Sequence, residues 1–227
     1  MHGHWDQQQG RAAWSAFDDT PMRVVRFSDG GVSEEQAELI RKWLYGDGTC
    51  DIRNVKDSCF ASEVCSRGRD PSLSRSLHHM LRTNNLYVAV SDDDEGLWMG
   101  CALAEKDMRV QSSMPLLFPC HFNEGSTRCN RARSTVVYSL CVPSCGRGQR
   151  VGTSILKRIC SDFDQVYLLV DTHRTGQCNV LRDFMETRSD NLLGYYKQQG
   201  FKRCGERDGY VLHMRTSQSS GVRPSSH

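Results

Sequence analysis

Residues 138–156 read Tyr-Ser-Leu-Cys-Val-Pro-Ser-Cys-Gly-Arg-Gly-Gln-Arg-Val-Gly-Thr-Ser-Ile-Leu, a pattern that predicts a strand, a tight polar loop and the opening turns of a helix. Ser134 to Val142 is rich in β-branched and aromatic side chains, which suit a buried or half-buried strand. Pro143 has no N–H to give a sheet ladder, so the strand ends there. From Val151, apolar side chains recur at Ile155, Ile159 and Phe163, with Leu156 beside them, which is helical spacing. Gly146, Gly148 and Gly152 carry no Cβ, so the amides between strand and helix can turn toward a ligand. The orphan N–H groups of the helix start and the positive end of its dipole then face one point, and Arg147 and Arg150 add charge there. That chemistry suits a phosphate or pyrophosphate. The plain alternative is an ordinary glycine-containing strand-to-helix turn.

Two well-known phosphate loops do not fit. A Walker-type loop ends in Gly-Lys-Ser/Thr, which is absent here, and the dinucleotide fingerprint spaces its three glycines differently and follows an early strand. A second stretch narrows the choice. Residues 191–201, Asn-Leu-Leu-Gly-Tyr-Tyr-Lys-Gln-Gln-Gly-Phe, predict a short helix closed by a left-handed Gly200, with the chain returning to a strand from Phe201.

Together the two stretches resemble the GNAT superfamily of acyl-CoA-dependent N-acetyltransferases. Arg147-Gly148-Gln149-Arg150-Val151-Gly152, with Val142 five residues before the Arg, is similar to motif A of that family, a strand followed by Arg/Gln-x-x-Gly-x-Gly/Ala. Tyr196-Lys197-Gln198-Gln199-Gly200-Phe201 is similar to the Tyr-x-x-x-Gly-Phe ending of motif B. Two positions depart from the pattern. Arg150 stands at the middle glycine of motif A, so that position is expected to adopt a dihedral an ordinary residue tolerates, and its side chain could also contact phosphate. Ser189 occupies the place where the family often has Asn, with Asn191 offset from it as a candidate cofactor contact.

The resemblance implies an α/β (α+β) fold, a mixed, splayed central sheet flanked by helices, and transfer of the acetyl group of acetyl-CoA directly to an amine. Its specific motifs lie in 138–156 and 191–201, while the expected domain spans 22–215, between disordered tails 1–21 and 216–227. The pantetheine arm is expected to pair with the strand edge at Leu140, Cys141 and Val142, where the amide of Cys141 or Val142 would polarise the thioester carbonyl. The pyrophosphate would lie on Arg147, Gly148, Gln149, Arg150, Val151, Gly152 and Thr153. A leaving thiol of pKa about 8.5 can be protonated by a phenol of about 10, and Tyr196 matches the family's position for that general acid. Tyr195 faces another side of the helix. The base that takes the amine's proton stays open among Asp171, His173, Glu105 and bulk water. Cys141 and Cys145 could suggest an acyl-enzyme, but the family transfers directly, so Cys141 reads as a strand residue. The rival reading is an inactive GNAT-fold module that binds acyl-CoA or a protein.

Composition bounds the rest. A chain of 227 residues suits one well-buried α/β domain, and 29 Lys+Arg against 27 Asp+Glu offers no electrostatic case for nucleic acid. No apolar run reaches membrane-spanning length and residues 1–20 lack a signal-peptide core, so a cytoplasmic or nuclear protein is expected. Eleven cysteines, an odd and scattered set without Cys-x-x-Cys, read as reduced thiols. Cys120, His121 and Cys129 match no structural zinc spacing, and no metal is expected. The amine acceptor, a small molecule or a protein Lys or N-terminus, is not legible, and a homodimer is left open.

In order, the chain predicts a strand at Met22–Phe27 and a helix opened by the capping box Ser33-Glu34-Glu35-Gln36 and running to Tyr45. A second helix spans 71–82, opened by Asp70-Pro71, and a hairpin joins Leu86–Val90 to Leu97–Glu105 through an acidic turn unsuited to calcium. The polar insert 106–133 reads as a lid, a binding loop or disorder, and Arg128, Arg131 and Arg133 at its end could meet an acidic acceptor or, the favoured reading, stay hydrated. Val166–Val170 predicts a central strand and Tyr210–Met214 a last one.

Overall fold

The computed structural model describes residues 21–28, 31–45, 72–93, 96–106, 133–143, 146–171, 191–207 and 210–216. The elements are β1 (Met22–Phe27), α1 (Glu34–Tyr45), α2 (Ser72–Thr83), β2 (Asn84–Ser91), β3 (Trp98–Glu105), β4 (Ser134–Cys141), α3 (Val151–Asp162) and β5 (Gln165–Asp171). A helix over residues 191–198 (α4), β6 (Lys202–Arg207) and β7 (Tyr210–Thr216) complete the order. His2, His4, Asp70, Pro71, Cys120, His121, Cys129, Cys145, His173 and Ser189 lie outside the described residues, as do both tails beyond Thr216 and before Pro21 and most of the insert.

Seven strands form one sheet in the order β1-β2-β3-β4-β5-β7-β6. All neighbours are antiparallel except β4 and β5, which run parallel with α3 as their crossover. The expected mixed α/β sheet flanked by helices is therefore what the chain builds. β2 and β3 are buried along their whole length because helices cover both faces, which is why they are apolar on both sides.

Two cores lie on opposite faces. On the first, Val151, Ile155, Leu156 and Ile159 of α3 pack with Tyr196 and Phe201 onto Ala102, Ala104, Val137, Val166, Leu168 and Val170. On the second, Ile40 and Leu44 of α1 and Leu77 and Leu81 of α2 pack onto Leu86, Val88, Cys101, Leu103 and Cys141. The predicted capping box opens α1, with Gln36 N donating to Ser33 Oγ at 3.2 Å and Ser33 N to Gln36 Oε1 at 2.9 Å.

Strand edges differ from the sequence pattern in small ways with local causes. The hairpin reaches further down β2, to Asn84, whose side-chain amide donates to Met80 O at 2.9 Å and so joins helix to strand. Leu97 lies outside β3 and is exposed, because a bulge at Met99 brings Trp98 opposite Val90. β7 runs through Thr216, two residues past the expected end, because its ladder with β5 continues to Gln165.

A polar cluster fastens the C-terminal end of α3 to the sheet. Tyr87 Oη donates to Asp162 Oδ2 at 2.9 Å, and Arg158 Nε lies 3.2 Å from Asp162 Oδ1. Arg26 lies 3.6 Å from the same carboxylate, donates to Asn85 Oδ1 at 2.9 Å, and stands over the rings of Tyr87 and Phe163. Burial and then the Asp162 bond push the Tyr87 phenol well above its ordinary ionisation range. Asp162→Ala strands these donors and is expected to cost about 1–3 kcal/mol. Urea unfolding of variant against wild type measures it.

Candidate functional site

Chain geometry makes the site where β4 stops. Gly146 N donates to Pro143 O at 2.9 Å, turning the chain as soon as proline ends the strand. A Cβ on Gly146 would stand 2.4 Å from Met99 O, so only glycine lets the loop settle on β3. Arg147 folds back, its Nε donating to Val142 O at 3.1 Å, and stays exposed.

Gly148 and Arg150 both take positive φ, 81° and 56°. Arg150 thus takes a left-handed conformation usual for glycine, which corrects the expectation of an ordinary dihedral there. The reason lies in the turn: Arg150 is the N-cap of α3, and its carbonyl must accept from Ser154 N, at 2.9 Å, while the chain arrives from the Gly148 side. No side chain caps the helix. The amides of Val151, Gly152 and Thr153 precede that first intrahelical bond and mark the open end of the dipole.

β4 and β5 pair only from Ser134↔Gln165 to Val137↔Leu168. Beyond that rung β5 continues alongside β7 to Asp171, and β4 continues alongside β3 to Cys141. The two strands therefore fork, and the fork opens toward the Arg147–Gly152 loop and the start of α3.

Each predicted site residue has a place around it. Leu140 and Val142 face the first core, while Cys141 faces the second, its Sγ donating to Trp43 O at 2.9 Å. That thiol is buried away from the loop. Asp171 ends β5 opposite Tyr210, three residues past the last rung of the fork. Asn191 is exposed at the start of the described part of α4.

Tyr196 is 7% exposed and sits in the first core, its ring edge-on to Phe201. The left-handed Gly200 closes α4 as expected. Tyr195 does face another side of the helix, and that side is the start of α3. Its hydroxyl lies 3.4 Å from Thr153 Oγ1 and 2.9 Å from where a Cβ on Gly152 would stand. Burial raises the Tyr195 phenol above its usual range, with Thr153 opposing, so it stays protonated at neutral pH. The i, i+1 pattern put Tyr195 off the Tyr196 face but could not say what that other face meets.

Sequence reasoning also missed a polar group at the fork on the second face. A bulge between Leu103 and Ala104 leaves Tyr138 as the extra residue of β4. Its hydroxyl donates to Glu105 Oε1. Glu105 and neighbouring Ser139 are 5% and 3% exposed. Glu105 stood among three possible bases, and the only further signal was a serine inside an apolar strand.

Replacing Arg150 by glycine removes the strain of a left-handed non-glycine residue. Arg150→Gly is expected to raise stability by about 0.5–1 kcal/mol, measured as a rise in the urea midpoint at constant slope.

No protein-family model matches the chain, and no curated protein matches it in sequence. Solved structures do resemble it. An acetyltransferase of the GNAT family from Listeria monocytogenes is 12% identical, covers 85% of this chain and 99% of its own, and superposes with a TM-score of 0.49. One from Staphylococcus aureus is 10% identical over 86% of this chain and 99% of its own, with a TM-score of 0.46. The histone acetyltransferase HPA2 and related acetyltransferase from Corynebacterium glutamicum is 16% identical over 86% and 96%, also at 0.46.

Proposed function

We propose that this chain is an N-acetyltransferase of the GNAT type, moving the acetyl group of acetyl-CoA to an amine. The observation that carries the reading is the fork: a parallel strand pair that parts after Val137↔Leu168, directly beside an uncapped helix N-terminus with Arg147 and Arg150 on its loop. A strand end beside such a gap can accept an extended arm as a further strand, and helix amides with two arginines suit a diphosphate.

The residues present fit coenzyme A. A Cβ on Gly152 would meet Tyr195 Oη at 2.9 Å, with Val142 and Leu140 at 3.5 and 3.7 Å, so a side chain there would push into the seam between α3, α4 and the end of β4. Arg147, Gly148, Gln149, Arg150, Val151, Gly152 and Thr153 would hold the diphosphate, and Leu140, Cys141 and Val142 would align the arm, with Asn191 at its rim. Acetyl-CoA supplies an activated thioester. Tyr196, set where α4 meets the first core, is the proposed donor of a proton to the departing thiol. Tyr195, kept neutral and held at Thr153, orients the chain of the ligand against α3. The acceptor is an amine, a small molecule or a protein Lys or N-terminus.

Three substitutions test the assignment. Tyr196→Phe is expected to lower kcat by tenfold or more with acetyl-CoA affinity unchanged, measured by thiol release against an amine panel and by titration calorimetry. Tyr195→Phe is expected to weaken acetyl-CoA binding two- to tenfold, the loss of one hydrogen bond. Equal turnover in Tyr196→Phe and wild type removes the acid role from that residue. Gly152→Glu should abolish acetyl-CoA binding, and full affinity in a folded variant would sink the phosphate loop. If the wild type binds acetyl-CoA but no amine of the panel brings about thiol release, the binding-module reading replaces the enzyme.

A further inference from the structure

The fork has a second side. Its first face carries α3, α4 and the phosphate loop, and its second face carries α1 and α2. Two irregularities coincide at Tyr138. It is the extra residue in the β3–β4 ladder and also the first residue of β4 past the last rung to β5. A bulge places two consecutive side chains on one face. Here they are Tyr138 and Ser139, on the side of Leu103 and Glu105.

Tyr138 and Ser139 therefore stand beside the gap with Glu105 of the next strand against Tyr138, three polar side chains in a face otherwise made of aliphatic, cysteine and aromatic residues. Glu105 is 5% exposed and accepts from the Tyr138 hydroxyl. Other described residues bond its backbone: Thr135 Oγ1 donates to Glu105 O at 2.8 Å and Asn85 Nδ2 at 3.4 Å. Neighbouring Lys106 donates to Arg82 O at 2.6 Å. Tyr138 is half-buried and lies between the carboxyl and the gap. Ser139 Oγ is buried with no hydrogen-bond partner among the described residues. An unmet hydroxyl such as that of Ser139 is costly in an apolar layer unless something polar visits it.

From this juxtaposition we infer that the acceptor amine enters from the second face and loses its proton to a Tyr138–Glu105 relay at the apex of the fork. The inference rests on the transferase reading. The ammonium gives one proton to Tyr138 Oη as Tyr138 passes its own to the Glu105 carboxylate. The freed nitrogen forms a bond to the thioester carbon and the carbon–sulfur bond breaks. The thiolate takes a proton from the tyrosine on the first face, and the nitrogen's remaining excess proton leaves to water. Reprotonation of that tyrosine and discharge of Glu105 through water close the cycle, with amide, free thiol and one proton as products. Tyr138 is the catalytic contact, and Glu105 is a positioning residue that acts through it.

The test uses the full chain, acetyl-CoA and the best acceptor from a panel of spermidine, glucosamine and a lysine-bearing peptide. Glu105→Gln keeps an oxygen for the Tyr138 hydroxyl but cannot hold the proton, and Tyr138→Phe removes the relay atom. Each is expected to lower kcat about a hundredfold or more, with KM for acetyl-CoA and its calorimetric affinity within twofold of wild type. The double variant should be no slower than the slower single, since the two groups act as one unit. Retained acetyl-CoA binding certifies the fold of each variant. Wild-type kcat in Glu105→Gln overturns the relay while leaving the transferase intact. Multiplying losses in the double variant also overturn it, as separate structural effects. A wild type that turns over no amine removes the transferase reading and the relay with it.

Discussion

Four rungs of parallel pairing between β4 and β5 hold the two halves of this sheet together, and the rest of the structure follows from where they stop. Parallel neighbours need a crossover, and α3 supplies it, so the helix must start where β4 ends. Because the strands part after Val137↔Leu168, the start of α3 stands at an opening in the sheet. Each strand past the fork keeps a ladder on its other side, β3 for β4 and β7 for β5, so neither is stripped of pairing by the opening.

The same fork divides the chemistry. Tyr195 and Tyr196 belong to the first face, while Tyr138, Ser139 and Glu105 belong to the second. The two sets lie on opposite faces of the sheet, on either side of the strands that part there. The far end of α3 is pinned by Asp162, Tyr87 and Arg26, so the end of the helix at the gap is held by a rigid body. Arg150 fits this picture: the turn imposes a left-handed residue, and the chain tolerates arginine there.

Much of this was legible from residue pattern. Apolar spacing at Val151, Ile155 and Ile159, the proline that stops β4, the capping box at Ser33 and the glycine that closes α4 are local signals, and each is found. So is the strand-loop-helix that frames the candidate phosphate site. What escaped depends on contacts distant in sequence. Bulges at Met99 and Tyr138 arise from mismatched ladders, and a run such as Ser-Thr-Val-Val-Tyr-Ser-Leu-Cys carries no mark of which residue is extra. The left-handed dihedral at Arg150 is imposed by the turn, and residue type carries no mark of it. Tyr195 could be placed on a face of α4, but only the fold says that α3 begins there.

The bulge at Tyr138 also sets which kinds of sequence change this strand can accept. Val137 and Leu140 both face the first core although they are three apart, a spacing that a regular strand would send to opposite sides. The extra residue makes up the difference. Exchanges within β4 leave that phase intact, and losing one residue between Val137 and Leu140 would restore a smooth ladder with every side chain beyond it still on its own face, whereas a loss elsewhere in the strand would turn them over. The bulge is thus the one place in β4 where the chain can shorten by a residue and keep both cores, at the expense of the Tyr138–Ser139 pair.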